Sequence, residues 1–346
     1  MAYTWSWSWG SESAFLLQGD MAFDFSSVAT NVVEPRTTEQ YKPTGAPTKY
    51  SMAFDIGHWT QLPNLATSGM TQGVISAALK ATSVAFNHLH SVITVQSVGD
   101  QAIYIRLEVG GGLSLYVDNV FRATSAISYD FTEWRFVALH FDMRANPWKA
   151  KVTVDGVEAI AEATDPEDPD AVGHVRLTGP VNSDRAWYNG QIIVQDAYAD
   201  TSPPRYVTRI STATDVSTVG LWTPTDVSNF ASTGADPFDV AKHTEEAVPT
   251  PGDEVITGFG GDLTSLLGGV PGSVDLVTVH SYSTGAANTA RAEVGDQAGA
   301  VTTAGTTELI GAATTYAYAS APVAPGDSLA WEGTDTPKCK YEVVSV

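Results

Sequence analysis

The sequence has almost no cysteine, few basic residues and no long apolar run. Its single cysteine, Cys339, excludes a disulfide within the chain and any zinc cluster built from cysteines. Lysine and arginine number 18 against 39 acidic residues, a formal net charge of −21, and a surface of that sign repels the phosphate backbone of nucleic acid. No apolar run approaches the ~18 residues of a membrane span. We therefore expect no nucleic-acid partner and no membrane insertion.

Long helical periodicity is also missing, and so are the motifs of common hydrolases. The best helix candidate is a turn or two at residues 263–267. No Gly-x-Ser-x-Gly elbow occurs, and no strand pattern projects the two carboxylates that glycoside hydrolysis requires. We predict that the protein is not an enzyme and needs no cofactor.

Strand signals dominate what is present, and residues 102–109 give the clearest one. Apolar side chains there alternate with Tyr104, Arg106 and Glu108. This period-two pattern indicates a strand with one face in the core and one face in solvent.

Two dipeptides, Asp118-Asn119 and Asp155-Gly156, have the composition of tight hairpin turns. Further strands are predicted around them, at residues 113–117, 120–123, 133–142 and 149–154. A meander of this kind presents a surface.

The chain is long enough for two domains, each with its own core. Residues 1–205 form the first, which ends at a Thr-Ser-Pro-Pro joint at residues 201–204. Residues 206–260, rich in Thr, Ser, Asp and Pro, are predicted to be an extended arm or linker. Residues 261–346 are predicted to be a small β domain, with strands at 274–282, 315–319, 328–331 and 340–346.

An aromatic strip opens the chain, in which Tyr3, Trp5, Trp7 and Trp9 share one face of a strand. Rings of this size do not remain uncovered in water. The strip is interpreted as a strand sealing its own domain, as a docking surface for a neighbouring subunit, or as a platform for sugar stacking.

Four aromatic residues that we assign to loops are candidate glycan contacts, because their rings could stack on sugars: Trp59, Trp148, Trp187 and Tyr188. The alternative is that these rings brace the ends of hairpins.

Metal binding has weak support in the sequence. His88 and His90 share a strand face, but two ligands are too few for a zinc site. His140, between apolar neighbours, is interpreted as a satisfied, partly buried histidine. The densest carboxylate cluster lacks the glycine and the terminal glutamate of a helix-loop-helix calcium site and is interpreted as a solvated loop; it comprises Asp165, Glu167, Asp168 and Asp170. We predict no metal.

Residues 103–198 resemble the concanavalin-A-like, laminin-G-type jelly roll. The resemblance rests on WRFVALHFD at 134–142, KVTVDG at 151–156 and NGQIIV at 189–194. It implies an all-β, concanavalin-A-like (laminin-G-like) jelly-roll sandwich, followed here by the arm and a small C-terminal β-sandwich. Lectins, glycosidases and adhesion modules share this fold, so the fold does not specify a function.

A second resemblance concerns LWTP at 221–224, APGD at 324–327, LAW at 329–331 and VVSV at 343–346. These segments are similar to the C-terminal part of virion structural proteins from tailed bacteriophages, in which an arm precedes a small domain with a tryptophan-containing strand and an apolar final strand. The resemblance implies a virion component of tail or capsid, made in the host cytoplasm. Symmetric assembly makes it a homo-oligomer in contact with other virion proteins.

Our expectation is a non-enzymatic virion structural protein that mediates subunit assembly and adheres to a host-surface glycan. The alternatives are a lectin or polysaccharide-active enzyme of the same fold and a secreted adhesion module. Interface residues are expected in the aromatic strip and the arm, namely Tyr3, Trp5, Trp7, Trp9, Trp222, Phe230 and Phe238.

Overall fold

The computed structural model describes the greater part of the chain. The described residues are 6–10, 24–25, 33–36, 51–54, 59–62, 67, 69–81, 90–178, 187–199, 202, 204, 215–219, 223–224, 244–245, 250–259, 261–267, 271, 273–284, 289–296, 301–304, 306–311 and 314–345. Within them, no helix has the length and hydropathy to cross a membrane.

The described part is almost entirely β-structure, as the sequence predicts. The first fifteen strands are β1 (Ser6–Gly10), β2 (Asp24–Phe25), β3 (Val33–Arg36), β4 (Ser51–Phe54), β5 (Trp59–Gln61), β6 (Gln72–Ala81), β7 (His90–Ser97), β8 (Ala102–Leu107), β9 (Leu113–Val117), β10 (Val120–Thr124), β11 (Arg135–Asp142), β12 (Trp148–Val154), β13 (Val157–Asp165), β14 (Val172–Thr178) and β15 (Trp187–Gln195).

These strands form two antiparallel sheets that pack face to face. Sheet A has eight strands in the order β13-β12-β11-β6-β15-β4-β3, with β1 also paired to β15. Sheet B has seven strands in the order β10-β9-β8-β7-β14-β5-β2. The all-β sandwich predicted for this part of the chain is confirmed.

One large hydrophobic core lies between the two sheets. Alternate residues of the strands whose side chains are described supply it, for example Ile75, Leu139 and Val152 from sheet A, and Ile105 and Leu115 from sheet B, each 0% exposed. Burial of such side chains stabilises the fold by about 1.5–3 kcal/mol each. The opposite residues of the same strands form the two outer faces.

Both predicted tight turns are present. Asp118 and Asn119 have φ angles of 51° and 59°, and Asp155 and Gly156 have φ angles of 52° and 81°. Positive φ at both central residues is the geometry of a two-residue turn whose twist matches the flanking strands. The strands on either side pair in the expected antiparallel register.

Strand β6 differs from the alternating strands, because its residues are buried on both faces from Gly73 to Leu79. A continuous run of small and apolar residues is typical of a strand that is covered on both sides. The outer face of sheet A is therefore not a solvent-facing surface at this strand.

The C-terminal part contains a short helix and three small sheets. The elements are β16 (Asp215–Val219), β17 (Thr223–Pro224), β18 (Thr244–Glu245), β19 (Glu254–Gly258), α1 (Leu263–Leu267), β20 (Val277–Thr284), β21 (Thr289–Gly295), β22 (Val301–Ala304), β23 (Thr306–Gly311), β24 (Thr314–Ala321) and β25 (Lys338–Ser345). The sheet orders are β16-β19-β25-β21-β22, β20-β24-β23 and β17-β18.

A second core joins the two larger C-terminal sheets, with Val279 from one and Val294 from the other. Trp331 is buried there, and its Nε1 donates to the carbonyl of Ala321 at 2.8 Å. Tyr318, on the other face of β24, is buried with the core of the sandwich. The C-terminal sheets therefore pack against the sandwich.

Three details of the predicted C-terminal part differ from the structure. Residues 215–219 and 254–258, assigned to the arm, are strands that pair with each other, and the second pairs with β25. Residues 328–331 contribute only an isolated bridge between Trp331 and Val274. The final strand is not apolar, because β25 contains Lys338, Lys340 and Glu342.

Candidate functional site

The outer face of sheet A is closed by the chain that follows β15. Ala199 packs on Val74 of β6 and Ala138 of β11, and all three are buried. Beyond it, the hydroxyl of Ser202 lies 3.1 Å from that of Ser76, and both residues are 0% exposed. A ligand therefore has no access to this part of the face.

Polar residues under this segment are paired with one another. His140 is 0% exposed, and its Nε2 lies 3.2 Å from Thr153 Oγ1. The ring of Tyr198 contacts His140 edge to face and lies 5.2 Å from Lys151 Nζ, while its hydroxyl donates to Glu162 at 3.0 Å. His140 is thus fully rather than partly buried, and its Nε2 has a hydrogen-bond partner in Thr153.

The outer face of sheet B carries an ordered line of side chains. The antiparallel registers of five neighbouring pairs align six residues across the strands, and we call this line the cross-strand row: Gln61, Arg176, Thr94, Tyr104, Tyr116 and Phe121. Five steps between strands give it a length of about 24 Å. Neighbours of the first five of these residues fill the core, so this part of the row faces away from it, and Phe121 at its end is 52% exposed.

One end of the cross-strand row is aromatic. Tyr104 and Tyr116 stack with ring centroids 4.6 Å apart and an interplanar angle of 8°, and Phe121 meets Tyr116 edge to face at 5.7 Å. Phe121 is 52% exposed. Burial, followed by the neighbouring Tyr116, raises the pKa of Tyr104. Neither tyrosine hydroxyl hydrogen-bonds to any described residue, so both are available to a ligand.

Arg106 lies beside this aromatic end. Its guanidinium carbon is 4.9 Å from the centroid of Tyr116, and its Nε donates to Glu108 Oε1 at 3.2 Å. The two side chains are 28% and 23% exposed. These two contacts fix the plane of the guanidinium group.

The other end of the row is polar. Arg176 Nε donates to Gln61 Oε1 at 3.3 Å, and Thr94 lies between Arg176 and Tyr104 in register. His174 is two residues before Arg176 on the same face. Burial, followed by the charge of Arg176, lowers the pKa of His174 against the opposing effect of Asp100.

Flat apolar rings therefore lie next to planar hydrogen-bond donors on one accessible sheet face. Such a surface suits a flat ligand with apolar faces and polar edges. Glu108, which directly follows β8, is paired with Arg106, and Asp24 of β2 pairs in register with Gln61, four strands away. Two carboxylates acting on one bond are not found on the described part of this face.

Trp148 differs from its predicted position. It begins β12 instead of lying on a loop, and its ring is buried in the core at 1% exposure. Its Nε1 donates to the carbonyl of Asp168 at 2.8 Å. The prediction that Trp148 contacts a glycan is wrong, because a ring in the core cannot touch a sugar.

The other three candidate glycan contacts lie in strands. Trp59 begins β5, two residues before Gln61, and pairs with Thr178. Trp187 and Tyr188 begin β15 in sheet A. Their side chains lie outside the described part, so their glycan contacts stay predictions.

The expected interface residues are only partly described. Trp7 and Trp9 lie in β1, whose backbone pairs with β15 of the same chain. This pairing agrees with a strand that completes its own domain. Five of these residues are outside the described part: Tyr3, Trp5, Trp222, Phe230 and Phe238.

The acidic loop is tied into the fold. Asp165 pairs with Arg122, and the Asp170 carboxylate accepts from the amides of Gly99 and Ala171 at 3.0 and 2.7 Å. No group of three or more His, Cys, Asp or Glu side chains suited to a metal occurs among the described residues. Of the histidine pair, His90 begins β7 and His88 lies outside the description. The absence of metal stays a prediction.

The cross-strand row is the feature that sequence reasoning missed as a site. Alternation in residues 102–109 places Tyr104 and Arg106 on a solvent-facing side, which the structure confirms. Arg176, Thr94 and Gln61 reach the same line only through pairing of strands that are distant in sequence. No local pattern encodes that register.

No protein-family model matches the chain, and no curated protein does. Solved structures do match it. The cellulose-induced protein Cip1 aligns with 51% of this chain and 91% of its own, at 11% identity and a TM-score of 0.39. Domain 4 of the arabinanase AbnA from Geobacillus stearothermophilus, in complex with arabinotriose, aligns with 54% of this chain and 90% of its own, at 12% identity and a TM-score of 0.37.

A third match is a prokaryotic β-1,3-1,4-glucanase from a mouse hindgut metagenome. It aligns with 55% of this chain and 98% of its own, at 11% identity and a TM-score of 0.36. These distant likenesses agree with the concanavalin-A-like jelly-roll sandwich and concern the fold alone. They do not bear on the predicted virion origin.

Proposed function

We propose that this protein binds carbohydrate through the cross-strand row and does so without catalysis. The observation that supports this most directly is the stacked Tyr104–Tyr116 pair, half-buried on an accessible sheet face with both hydroxyls open. A sugar ring has C–H groups on its faces and hydroxyls at its edges. Tyrosine offers an apolar ring and a polar tip to such a ligand.

The dimensions of the row favour an oligosaccharide over a protein partner. A stable protein interface buries ~800 Å² on each side. The row is about 24 Å long and a single side chain wide, which fits a linear ligand better than a broad surface. Donors at Arg176, Gln61 and Arg106 along the row would fix the orientation of such a ligand.

The positions of the carboxylates on this face favour binding of a carbohydrate over its hydrolysis. Hydrolysis of a glycosidic bond ordinarily needs two carboxyl groups on either side of it. In the described part of this face Glu108 is held in an ion pair by Arg106, and Asp24, in register with Gln61, lies four strands away. At about 19 Å across four inter-strand steps, these two carboxyl groups are too far apart to act on one glycosidic bond.

A glycan array followed by calorimetric titration tests this proposal. The full chain should retain a subset of oligosaccharides and release no reducing sugar from them. Tyr104→Ala should lower the affinity at least about fivefold, because the stacking surface is lost. Tyr198→Ala, the same change on the closed face of sheet A, is the matched control and should leave affinity unchanged. Unchanged affinity of Tyr104→Ala, or no retained glycan, would contradict the proposal.

The assignment to a virion rests on the resemblance of the C-terminal segments to bacteriophage structural proteins, and it remains a proposal. Adhesion to a glycan is compatible with a role in a virion. A virion protein should co-purify with particles at fixed stoichiometry. Its absence from purified particles would remove that localisation without affecting carbohydrate binding.

A further inference from the structure

We propose that the saccharide bound at the cross-strand row is anionic and that its carboxylate is held by Arg106. The inference rests on the proposed function and adds the chemical class of the ligand. Two observations support it: the open end of Arg106 and the fixed plane of its guanidinium group.

The face of sheet B is less acidic than the chain as a whole. The chain has a formal net charge of −21. Along and beside the row, Arg106 and Arg176 are balanced by Glu108 and by Asp24, which pairs in register with Gln61. Asp100 and Asp118 lie in the turns at the opposite end of these strands. Repulsion of an anionic ligand is therefore weaker here than the net charge of the chain implies.

Arg106 uses its nitrogens differently from the arginines of the ion pairs elsewhere. A terminal nitrogen of each of those is bound to a carboxylate, in the pairs Arg122–Asp165, Arg135–Asp155, Arg144–Asp142 and Arg291–Glu342. Arg106 instead engages Glu108 through Nε. Its Nη1 and Nη2 have no hydrogen-bond or ion-pair partner among the described residues.

The open nitrogens of Arg106 are held in place. The ion pair with Glu108 and the stack on Tyr116 fix the guanidinium plane on the aromatic end of the row. Terminal nitrogens in a fixed plane match the two oxygens of a carboxylate. A group already held in the binding geometry loses little conformational entropy when the ligand arrives.

The ligand that fits these features is an acidic sugar whose ring contacts the tyrosines. Its ring would lie against Tyr104 and Tyr116 while its carboxylate meets Arg106. A neutral sugar would fill the aromatic part and leave the terminal nitrogens of Arg106 unused.

The experiment measures the affinity of the full chain for oligosaccharides of galacturonic, glucuronic and sialic acid. Each is paired with the same oligosaccharide after reduction of its carboxyl group to an alcohol. We expect at least one acidic member to bind, with affinity roughly ten- to a hundredfold above its reduced form. The preference should weaken as salt increases.

Variants test the assignment to Arg106. Arg106→Gln should remove the preference for the acidic form, and Arg106→Lys should restore only part of it, because lysine keeps the charge without the planar fork. Arg144→Gln, at an exposed ion pair on another strand, is the control and should keep the full preference. Thermal unfolding of each variant checks that it is folded, and the reduced-sugar comparison needs no variant.

The possible outcomes separate this inference from the proposed function. If acidic and reduced sugars bind equally and Tyr104→Ala weakens both, carbohydrate binding stands and the anionic class is wrong. If a clear acidic preference survives in Arg106→Gln, the assignment to Arg106 is wrong. If no oligosaccharide binds, both proposals fail.

Discussion

Trp148 is buried in the core between the two sheets, whereas Trp134 packs from a half-buried position on the outer face of sheet A, against Ala78, Phe136 and Ile193. Trp148→Ala should cost about 3–5 kcal/mol of unfolding free energy, since it leaves a large cavity. The sequence analysis assigns Trp148 to a loop, yet its ring is the more deeply buried of the two. Trp134→Ala should therefore cost less, because its ring is only partly covered. Chemical denaturation of both variants checks this, and the reverse order would contradict the assigned positions.

His174 introduces a pH dependence at the residue scale. Because burial and Arg176 lower its pKa in the folded state, the unfolded chain takes up a proton first as pH falls below about 6.5. Unfolding free energy should therefore decrease from about pH 7 to about pH 5.5 through this residue. In His174→Gln that decrease should be smaller, as measured by denaturation at each pH. Equal slopes in the two proteins would show that His174 does not contribute.

The alternation of residue types along a strand identifies its solvent-facing side, but it does not identify a binding site. Tyr104 and Arg106 are assigned correctly by alternation, whereas Trp148 is misassigned because it opens a strand directly after a loop. In β12 the inward positions are Trp148, Ala150 and Val152, the same period-two pattern extended by one step. The burial of that first ring depends on the partner sheet.

At the scale of elements, the hairpin β12–β13 depends on one aspartate. Asp155 has φ = 52°, accepts from the amide of Phe136 at 2.8 Å and pairs with Arg135 at 2.9 Å. Asp155→Ala should cost about 2–3 kcal/mol, from backbone strain and lost hydrogen bonds. Asp155→Gly should cost about 1 kcal/mol less, because glycine accepts positive φ. Equal costs in denaturation would exclude a contribution from strain.

Strand β1 offers a test between the interpretations of the aromatic strip. Its five residue pairs with β15 make it part of sheet A. Deletion of residues 1–10 should therefore lower the stability of the isolated chain by roughly 2–5 kcal/mol through lost backbone hydrogen bonds. An unchanged unfolding free energy with impaired assembly would instead support docking onto a neighbouring subunit.

Local patterns predict the elements better than they predict their order. The strands and turns of β8, β9 and β10 follow from alternation and from Asp118-Asn119. Pairing of β7 with β14, and of β6 with β11, joins segments far apart in the chain and depends on the packing of the whole core. The cross-strand row exists only because of that pairing. The sequence predicts that Tyr104 of the row and the adjacent Arg106 face solvent, but it does not predict the line to which Tyr104 belongs.

At the scale of the whole molecule, the two outer faces of the sandwich differ in their exposure to solvent. The segment containing Ala199 and Ser202 closes part of sheet A, while the row on sheet B keeps Phe121 exposed and Tyr104, Tyr116 and Arg106 partly so. The C-terminal sheets pack against the sandwich through Tyr318. We therefore propose that sheet B carries the recognition surface and that the covered face of sheet A contributes to stability.

Amide chemical-shift mapping during titration with the oligosaccharide retained on the array tests the central claim most directly. The account predicts that shifts concentrate on β7, β8, β9 and β14, at Thr94, Tyr104, Tyr116 and Arg176, and leave the outer face of sheet A unchanged. Shifts centred on the segment around Ala199 and Ser202, or on the C-terminal sheets, would contradict it.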